Sequence, residues 1–138
     1  MIAYDSDLVG LDASSLQGFF VGWPTPPSAA QHLAALRGSH QVVLARDSVT
    51  GRVVGFVNLI SDGVLTAFVP WLEVLPDYQG QGIGTELMRR ILAQAEADGF
   101  YSVDLACDPE LRPYYERLGL RPLQGMGMRY YGALHAED

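Results

Sequence analysis

The sequence has one cysteine, few basic residues and no long apolar run, and each of these shortages excludes a class of protein. A single cysteine, Cys107, excludes an internal disulfide and a metal site built from cysteines, so we expect a reducing compartment and no metal. No segment approaches the roughly 18 apolar residues of a membrane span. Asp5 and Asp7 stand where a secretion signal carries basic residues. We therefore predict a cytoplasmic protein without a membrane partner.

The charge balance is acidic, and the composition is that of a globular protein. Nine Lys and Arg against sixteen Asp and Glu give a formal net charge of −7, which is the wrong sign for binding a phosphate backbone. Hydrophobic residues make up 49% and charged residues 18%, values that are ordinary for soluble domains. A chain of 138 residues has the size of one domain. We predict a single domain over residues 1–138 and no nucleic-acid partner.

The first half of the chain alternates between predicted strands and helices. Residues 2–4 are predicted to form an edge strand, and a short helix is predicted after Asp12. Ser28 and Gln31 have the spacing of a capping box, which predicts a second helix. Two β-branched runs within residues 41–60, separated by turn residues, predict a β-hairpin. The apolar run 64–75 is predicted to lie at the centre of the sheet.

The second half contains the clearest helix of the sequence. Within residues 79–98, three glycines are followed by apolar residues at helical spacing. Alternation over residues 101–105 predicts another strand, and Asp108 with the following proline predicts a helix start. Residues 120–131 are predicted to contain one or two short strands.

The glycine-rich turn before the long helix is the most informative segment. It reads Gln79-Gly80-Gln81-Gly82-Ile83-Gly84-Thr85. Backbone N–H groups converge at such a helix start, where the helix dipole also favours an anion such as a diphosphate. The dinucleotide fingerprint has glycine at its first, third and sixth positions, whereas this turn has them at the first, third and fifth. The phosphate loop of nucleotide triphosphatases is excluded too, because no Gly-Lys step is present.

The turn resembles the acyl-CoA-binding motif of the GNAT superfamily of N-acetyltransferases. That motif has Gln or Arg, two residues, Gly, one residue, then Gly or Ala, which Gln79, Gly82 and Gly84 match. A second segment, residues 114–120, looks like the family's aromatic-Tyr-x-x-x-Gly segment. The resemblance spans roughly residues 52–120; the region before residue 41, where the family chooses its acceptor, matches only in layout.

The resemblance implies the fold and the reaction. The expected fold is α/β (α+β), with a central mixed twisted sheet of six or seven strands flanked by about four helices. The expected activity is transfer of an acetyl group from acetyl-CoA, the co-substrate, to a primary amine by direct attack. The acceptor would be a small molecule or a peptide. The alternative is a non-catalytic acyl-CoA-binding or regulatory module, and the oligomeric state stays open, with a homodimer among the alternatives.

The resemblance also implies which residues bind the co-substrate. Backbone groups of Val74 and Leu75 would pair with the pantetheine arm, and an N–H at one of them would stabilise the thioester oxygen. Asp108 stands where many relatives have an asparagine that contacts the CoA arm, but aspartate lacks the amide donor. The pyrophosphate would be held by the amides of the glycine-rich turn, namely those of Gln79, Gly80, Gln81, Gly82, Ile83, Gly84 and Thr85.

Two residues are predicted to be catalytic, and each has a structural alternative. Tyr115 matches the family's tyrosine that donates a proton or a hydrogen bond to the departing thiolate, although core packing also accounts for an aromatic residue there. Glu73 is the candidate base for the amine proton, although a strand-end carboxylate is as often solvated or ion-paired. Tyr114 is the second choice for the tyrosine. The aromatic residues Phe19, Phe20 and Trp23 belong either to the acceptor pocket or to the core.

Overall fold

The computed structural model describes residues 1–135 and contains one mixed sheet with three helices. The strand order is β1-β2-β3-β4-β5; the first four strands are antiparallel neighbours, and β5 runs parallel to β4. The strands are β1 (Ile2–Asp5), β2 (Gln41–Asp47), β3 (Val53–Ser61), β4 (Thr66–Val74) and β5 (Ser102–Asp104), and the helices are α1 (Ala29–Arg37), α2 (Ile83–Ala97) and α3 (Arg112–Arg117).

Several predicted elements are confirmed where the local sequence signal is strong. The predicted hairpin is β2 and β3, and the predicted edge strand is β1. The capping box of α1 is complete, because the Ser28 hydroxyl accepts from the Gln31 amide while the Gln31 side chain accepts from the Ser28 amide. The longest helix, α2, lies within the predicted segment 79–98.

The prediction of six or seven strands and about four helices is wrong in number. Five strands and three helices are present in residues 1–135. The strands predicted in residues 120–131 are absent there: residues 121–130 form no regular structure and are exposed. Glycines at 125 and 127 weaken a strand, and no neighbouring strand pairs with this part of the described chain. The helix predicted after Asp12 is one 3-10 turn, Ala13–Leu16, since Gly18 at φ 91° follows in a left-handed conformation.

The predicted central position of residues 64–75 is also wrong. The middle strand is β3, whose first seven residues are all buried, whereas β4 alternates between exposed and buried residues along its first half. Only Thr66–Phe68 pair with β5. The rest of β4 therefore lies next to an opening, which forms where β5 ends its pairing.

Each face of the sheet has its own hydrophobic core. On one face α2 packs on residues such as Val57, and on the other α1 packs near Phe56. Gly55 permits the close approach of α2, because a Cβ at this position would lie 3.1 Å from a Leu87 methyl and 3.2 Å from the Glu73 carbonyl oxygen. The first turn of α2 is thus held against the end of β4. Among the described residues, no helix is both long and apolar enough to cross a membrane.

Candidate acyl-donor and acceptor site

The glycine-rich turn presents unused backbone donors at the start of α2. Gly80 at φ 78° and Gly82 at φ 82° adopt left-handed conformations that glycine favours. The first hydrogen bond of α2 runs from the Glu86 amide to the Gly82 carbonyl oxygen, and no side chain caps the helix. Within residues 1–135, the amides of residues 80–85 have no hydrogen-bond acceptor. These donors, together with the helix dipole, fit the diphosphate of CoA.

The end of β4 is tied to this turn through a side chain. The Gln79 amide nitrogen Nε2 donates to the Val74 carbonyl oxygen at 3.0 Å. The turn is therefore fixed relative to the strand edge on which the pantetheine arm is expected.

The two residues expected to pair with that arm, Val74 and Leu75, differ in whether their backbone groups are already hydrogen-bonded. The Leu75 amide donates to the Val54 carbonyl oxygen at 2.8 Å, and the Leu75 carbonyl oxygen accepts from the Tyr78 amide at 2.9 Å. Both backbone groups of Leu75 are therefore already used within the protein. Because backbone groups of successive residues in an antiparallel strand point to opposite sides, the Val74 N–H points away from β3, toward the opening. Val74, and not Leu75, retains a donor for a ligand.

The Glu73 side chain lies on the face of β4 opposite to that of Val74. It is half-buried, and a hydrogen bond holds its carboxylate in place. Its Oε1 accepts a hydrogen bond of 2.8 Å from the Phe20 amide. Burial raises the pKa of Glu73 above its ordinary value, and the hydrogen bond from Phe20 partly opposes this rise. Phe20 has φ 61°, a left-handed conformation that costs a bulky residue roughly 1–2 kcal/mol. Strain of this kind is concentrated at functional sites.

A cavity of about 180 Å³ lies at the end of β4. Its lining includes Glu73 and Val74 from β4 and Gln79 from the turn, together with Gly18 and Val21 from the loop before α1. The structure therefore brings the candidate base, the residue with the candidate amide donor and the first residue of the glycine-rich turn to one cavity. Among the described residues that line it, Glu73 is the charged one, and Arg52 lies nearby, since a Cβ at Gly18 would stand 3.8 Å from Arg52 Nη2.

The two adjacent tyrosines of α3 occupy different environments. The Tyr114 hydroxyl lies 3.1 Å from Thr85 Oγ1 in the first turn of α2. Tyr115 packs against the core beneath α2, with its ring centre 5.0 Å from that of Tyr114. Burial raises the pKa of Tyr115 to about 12, with smaller contributions from Tyr114 and Cys107. The contact with the turn is made by Tyr114, and Tyr115 remains a candidate on the sequence motif and its position.

Asp108 is the predicted site residue with the least support from contacts. It is exposed, and its carboxylate caps no helix. Within residues 1–135, its backbone carbonyl oxygen is the one group that accepts a hydrogen bond, from the Leu111 amide at 2.9 Å. Its contact with the CoA arm stays a prediction.

The aromatic residues divide between core and surface. Phe20 is buried and Phe19 packs against both cores, while Trp23 is 38% exposed. Sequence reasoning missed Trp71, which is 39% exposed and lies two residues before Glu73 on β4. The sequence carried a signal for it: Trp71 and Glu73 are two residues apart in a predicted strand, and alternate residues of a strand lie on the same face. The hydrogen bond from Phe20 to Glu73 joins residues 53 apart and had no signal in the sequence.

Comparison with known proteins shows to which family this chain belongs. The family model described as "Acetyltransferase (GNAT) family" matches residues 9–120. A solved structure from Deinococcus radiodurans R1, described as that of an acetyltransferase, is 42% identical with a TM-score of 0.90, covering 99% of this chain and 94% of that chain. The chain belongs to the GNAT family of acetyltransferases.

Curated relatives agree with this assignment. Serotonin N-acetyltransferase 2, chloroplastic, from Oryza sativa subsp. japonica is 31% identical over 88% of this chain and 64% of its own length. Glucosamine 6-phosphate N-acetyltransferase 1 from the same plant is 29% identical over 70% of this chain and 66% of its own length. The chain thus spans about two thirds of the length of these relatives.

Proposed function

We propose that the chain transfers the acetyl group of acetyl-CoA to a primary amine by direct attack. The observation that carries this proposal is the cavity at the end of β4, where the held carboxylate of Glu73 lies beside Val74 and Gln79, next to the turn whose amides are unused. The acceptors in the names of the two plant relatives, serotonin and glucosamine 6-phosphate, are amines, which supports nitrogen as the acceptor atom.

Donor binding is assigned to the turn and to the open edge of β4. The amides of residues 80–85 would hold the diphosphate, and the Val74 N–H would meet the pantetheine arm or the thioester oxygen. When bound, acetyl-CoA supplies an acetyl group activated as a thioester. A backbone donor held in place by strand pairing stabilises negative charge on the carbonyl oxygen without reorganising.

The proposed transfer forms the amide C–N bond and breaks the thioester C–S bond. The attacking amine must be neutral, so its ammonium form loses a proton before attack, and the nitrogen loses a second proton as the amide forms. Glu73 accepts a proton from the nitrogen and passes it to water. Its raised pKa makes it a stronger base than an ordinary glutamate. The sulfur leaves as CoA thiolate and takes a proton from solvent.

Tyr115 is proposed to donate a hydrogen bond to the departing sulfur rather than its proton. With the Tyr115 pKa at about 12 and a thiol at about 8.5, full transfer to the thiolate is uphill by about 5 kcal/mol. A hydrogen bond that strengthens as charge develops on sulfur carries no such cost. Solvent then completes the protonation.

The direct test measures release of the CoA thiol from acetyl-CoA with a panel of amines. The panel contains n-butylamine, 2-phenylethylamine, glucosamine 6-phosphate and a peptide with a free N-terminus, and n-butanol is the matched oxygen control. We expect release above the amine-free rate with at least one amine, none with n-butanol, and an acetylated amine by mass spectrometry. Binding of acetyl-CoA without release for any amine would instead support the non-catalytic module.

A further inference from the structure

Both tryptophans of the chain, Trp23 and Trp71, form one half-exposed aromatic surface, which we call the tryptophan wall. Their ring centres are 5.1 Å apart with the planes at 61°, so the rings touch edge to face. The wall combines a residue of the loop before α1 with a residue of β4. Tryptophan side chains bury more apolar area than any other, and an adjacent pair left 38% and 39% exposed leaves apolar surface for a partner.

Phe20 connects this wall to the candidate base. Its ring centre lies 5.0 Å from that of Trp23 and 6.1 Å from that of Trp71. Its amide, in the strained left-handed conformation, holds the Glu73 carboxylate at 2.8 Å. A single buried residue thus sets the position of the wall relative to the carboxylate.

The register of β4 places Trp71 and Glu73 on the same face. They pair with Asn58 and Phe56 of β3 in an uninterrupted antiparallel register over this stretch. Residues two apart along a strand are separated by about 7 Å. This backbone spacing is of the same order as the distance between ring and nitrogen in an aromatic amine with a two- or three-carbon chain.

We propose that the acceptor is an arylalkylamine, a primary amine joined by a short alkyl chain to an aromatic ring. The ring packs on the tryptophan wall and the ammonium group approaches Glu73 before it loses its proton. This inference rests on the proposed function for the fate of the amine, but the binding itself does not depend on turnover.

Charge discriminates this acceptor class from phosphorylated amines. Among the described residues that line the cavity, Glu73 is the charged one, and the whole chain carries a net charge of −7. Glu73 repels a phosphate placed next to it, whereas it attracts an ammonium group. The aromatic surface adds contact area for a flat apolar ring, which a simple alkylamine does not use.

The binding test uses intrinsic fluorescence, because Trp23 and Trp71 are the only tryptophans of the chain and both report on the wall. The protein is titrated with 2-phenylethylamine in the presence of CoA, and n-butylamine is the matched amine without a ring. We expect a saturable fluorescence change with 2-phenylethylamine at a Kd at least about tenfold lower than for n-butylamine. No saturable change at millimolar 2-phenylethylamine would overturn the proposal, whatever amines the protein acetylates.

The kinetic test uses Trp71→Ala, with Trp71→Phe as the variant that keeps an aromatic face. We expect Trp71→Ala to raise KM for 2-phenylethylamine about tenfold and to leave KM for acetyl-CoA unchanged, while Trp71→Phe restores most of the loss. Tyr101→Ala removes an exposed aromatic residue beside β5, beyond the opposite end of β4, and should change neither KM. Thermal melting verifies that each variant is folded.

The outcomes separate this inference from the proposed function. Saturable binding of 2-phenylethylamine without turnover of any amine would sustain the binding site and refute the acetyl transfer. Equal KM values for 2-phenylethylamine in the wild type and Trp71→Ala, with normal turnover, would refute the tryptophan wall as the acceptor site. A tenfold preference for glucosamine 6-phosphate over 2-phenylethylamine would refute it as well.

Discussion

Glu73 is the residue whose interpretation changes most once its contacts in the structure are known. In the sequence it is one acidic residue near a strand end, for which a solvated or ion-paired carboxylate is at least as common as a base. In the structure the Phe20 amide holds its carboxylate, it lines the cavity, and burial raises its pKa. It forms no ion pair among residues 1–135. This environment supports the proposed proton-accepting role.

Glu73→Gln should remove the base while leaving the hydrogen bond from Phe20, because a glutamine oxygen can still accept it. We expect kcat with the best amine to fall by about 10²-fold. The wild-type kcat should also decline at acid pH as Glu73 becomes protonated, with an apparent pKa above 4.5. The variant should lack this acid limb, which a pH profile of kcat measures.

Stability separates this catalytic effect from damage to the fold. A carboxylate whose pKa is raised on folding stabilises the native state only at low pH, and this contribution is lost as the pH rises through the folded pKa. Glu73→Gln should therefore be at least as stable as the wild type at neutral pH. Glu96→Gln, on the exposed face of α2, serves as the matched control with normal kcat. An unchanged kcat in Glu73→Gln would leave ordered water as the base.

The two tyrosines of α3 can be distinguished by removing one hydroxyl at a time. We expect Tyr115→Phe to lower kcat about ten- to a hundredfold, because a hydrogen bond to developing charge is lost, with little change in KM for acetyl-CoA. Tyr114→Phe loses the contact with Thr85 and should act mainly on KM for acetyl-CoA. Steady-state kinetics of both variants decide this. The reverse pattern would assign the sulfur contact to Tyr114.

At the scale of elements, α2 has a glycine in a left-handed conformation near each end, and we expect only the first of them to contribute to ligand binding. Gly82 at φ 82° directly precedes the helix within the turn, and Gly99 at φ 80° follows Asp98, the residue that caps its C-terminal end. A Cβ would meet no atom within 4 Å at either position. Alanine would therefore impose the same backbone strain, roughly 1–2 kcal/mol, at both ends. Only the turn at Gly82 presents amides to a ligand.

Acetyl-CoA at about a hundred times its Kd should stabilise the wild type by about 2.7 kcal/mol, which raises Tm by several degrees. We expect Gly82→Ala and Gly99→Ala to lower Tm to a similar extent without ligand. Gly99→Ala should keep the full shift with acetyl-CoA, and Gly82→Ala should lose most of it. Plain CoA should act like acetyl-CoA and a dinucleotide should give no shift; thermal melting with each ligand decides whether the turn binds the donor.

Elements with local signals could be predicted, and those that depend on distant partners could not. The capping box of α1 and the apolar spacing of α2 are complete within one segment of chain. The position of β4 was mispredicted because its apolar content does not reveal that β5 pairs with only three of its residues. The one or two short strands predicted in residues 120–131 are absent, because a strand needs a neighbour to pair with and the sequence of this segment does not reveal whether one is present.

At the scale of the whole molecule, one buried group makes folding sensitive to acid. His32 on α1 is 3% exposed and packs among the rings of Phe19, Phe20 and Phe56. Neither imidazole nitrogen has a hydrogen-bond partner in the part of the chain that the structure describes. Burial lowers the pKa of His32 from 6.5 to about 4, because the charged form cannot be solvated there.

A histidine with a lowered folded pKa stabilises the native state fully above its unfolded pKa, and this stability is lost as the pH falls from about 6.5 toward about 4. We expect the free energy of unfolding to fall by about 2 kcal/mol between about pH 7 and about pH 5. Protonation of Glu73, whose pKa is raised by burial, opposes this loss. Lowered pKa values of Asp12, Asp47 and Asp62 act below their ordinary value of 3.8, outside this window.

Urea unfolding at the two pH values measures this effect, with His32→Leu as the variant that cannot be protonated. His32→Leu should be at least as stable as the wild type at neutral pH, because it replaces unpaired polar atoms with apolar ones. It should lose much less stability on acidification. The same acid sensitivity in His32→Leu as in the wild type would show that another group controls it.

The sequence by itself determined the helix α2, the glycine-rich turn and the hairpin, because periodicity and turn chemistry act over a few consecutive residues. It also carried enough of the family motif to place the chain correctly among the GNAT acetyltransferases. Only the tertiary structure decided that Val74 rather than Leu75 keeps an unused amide, since this depends on strand pairing. It alone joined Phe20 to Glu73 and Trp23 to Trp71, because these contacts form between segments distant in the chain once the loop before α1 packs on β4.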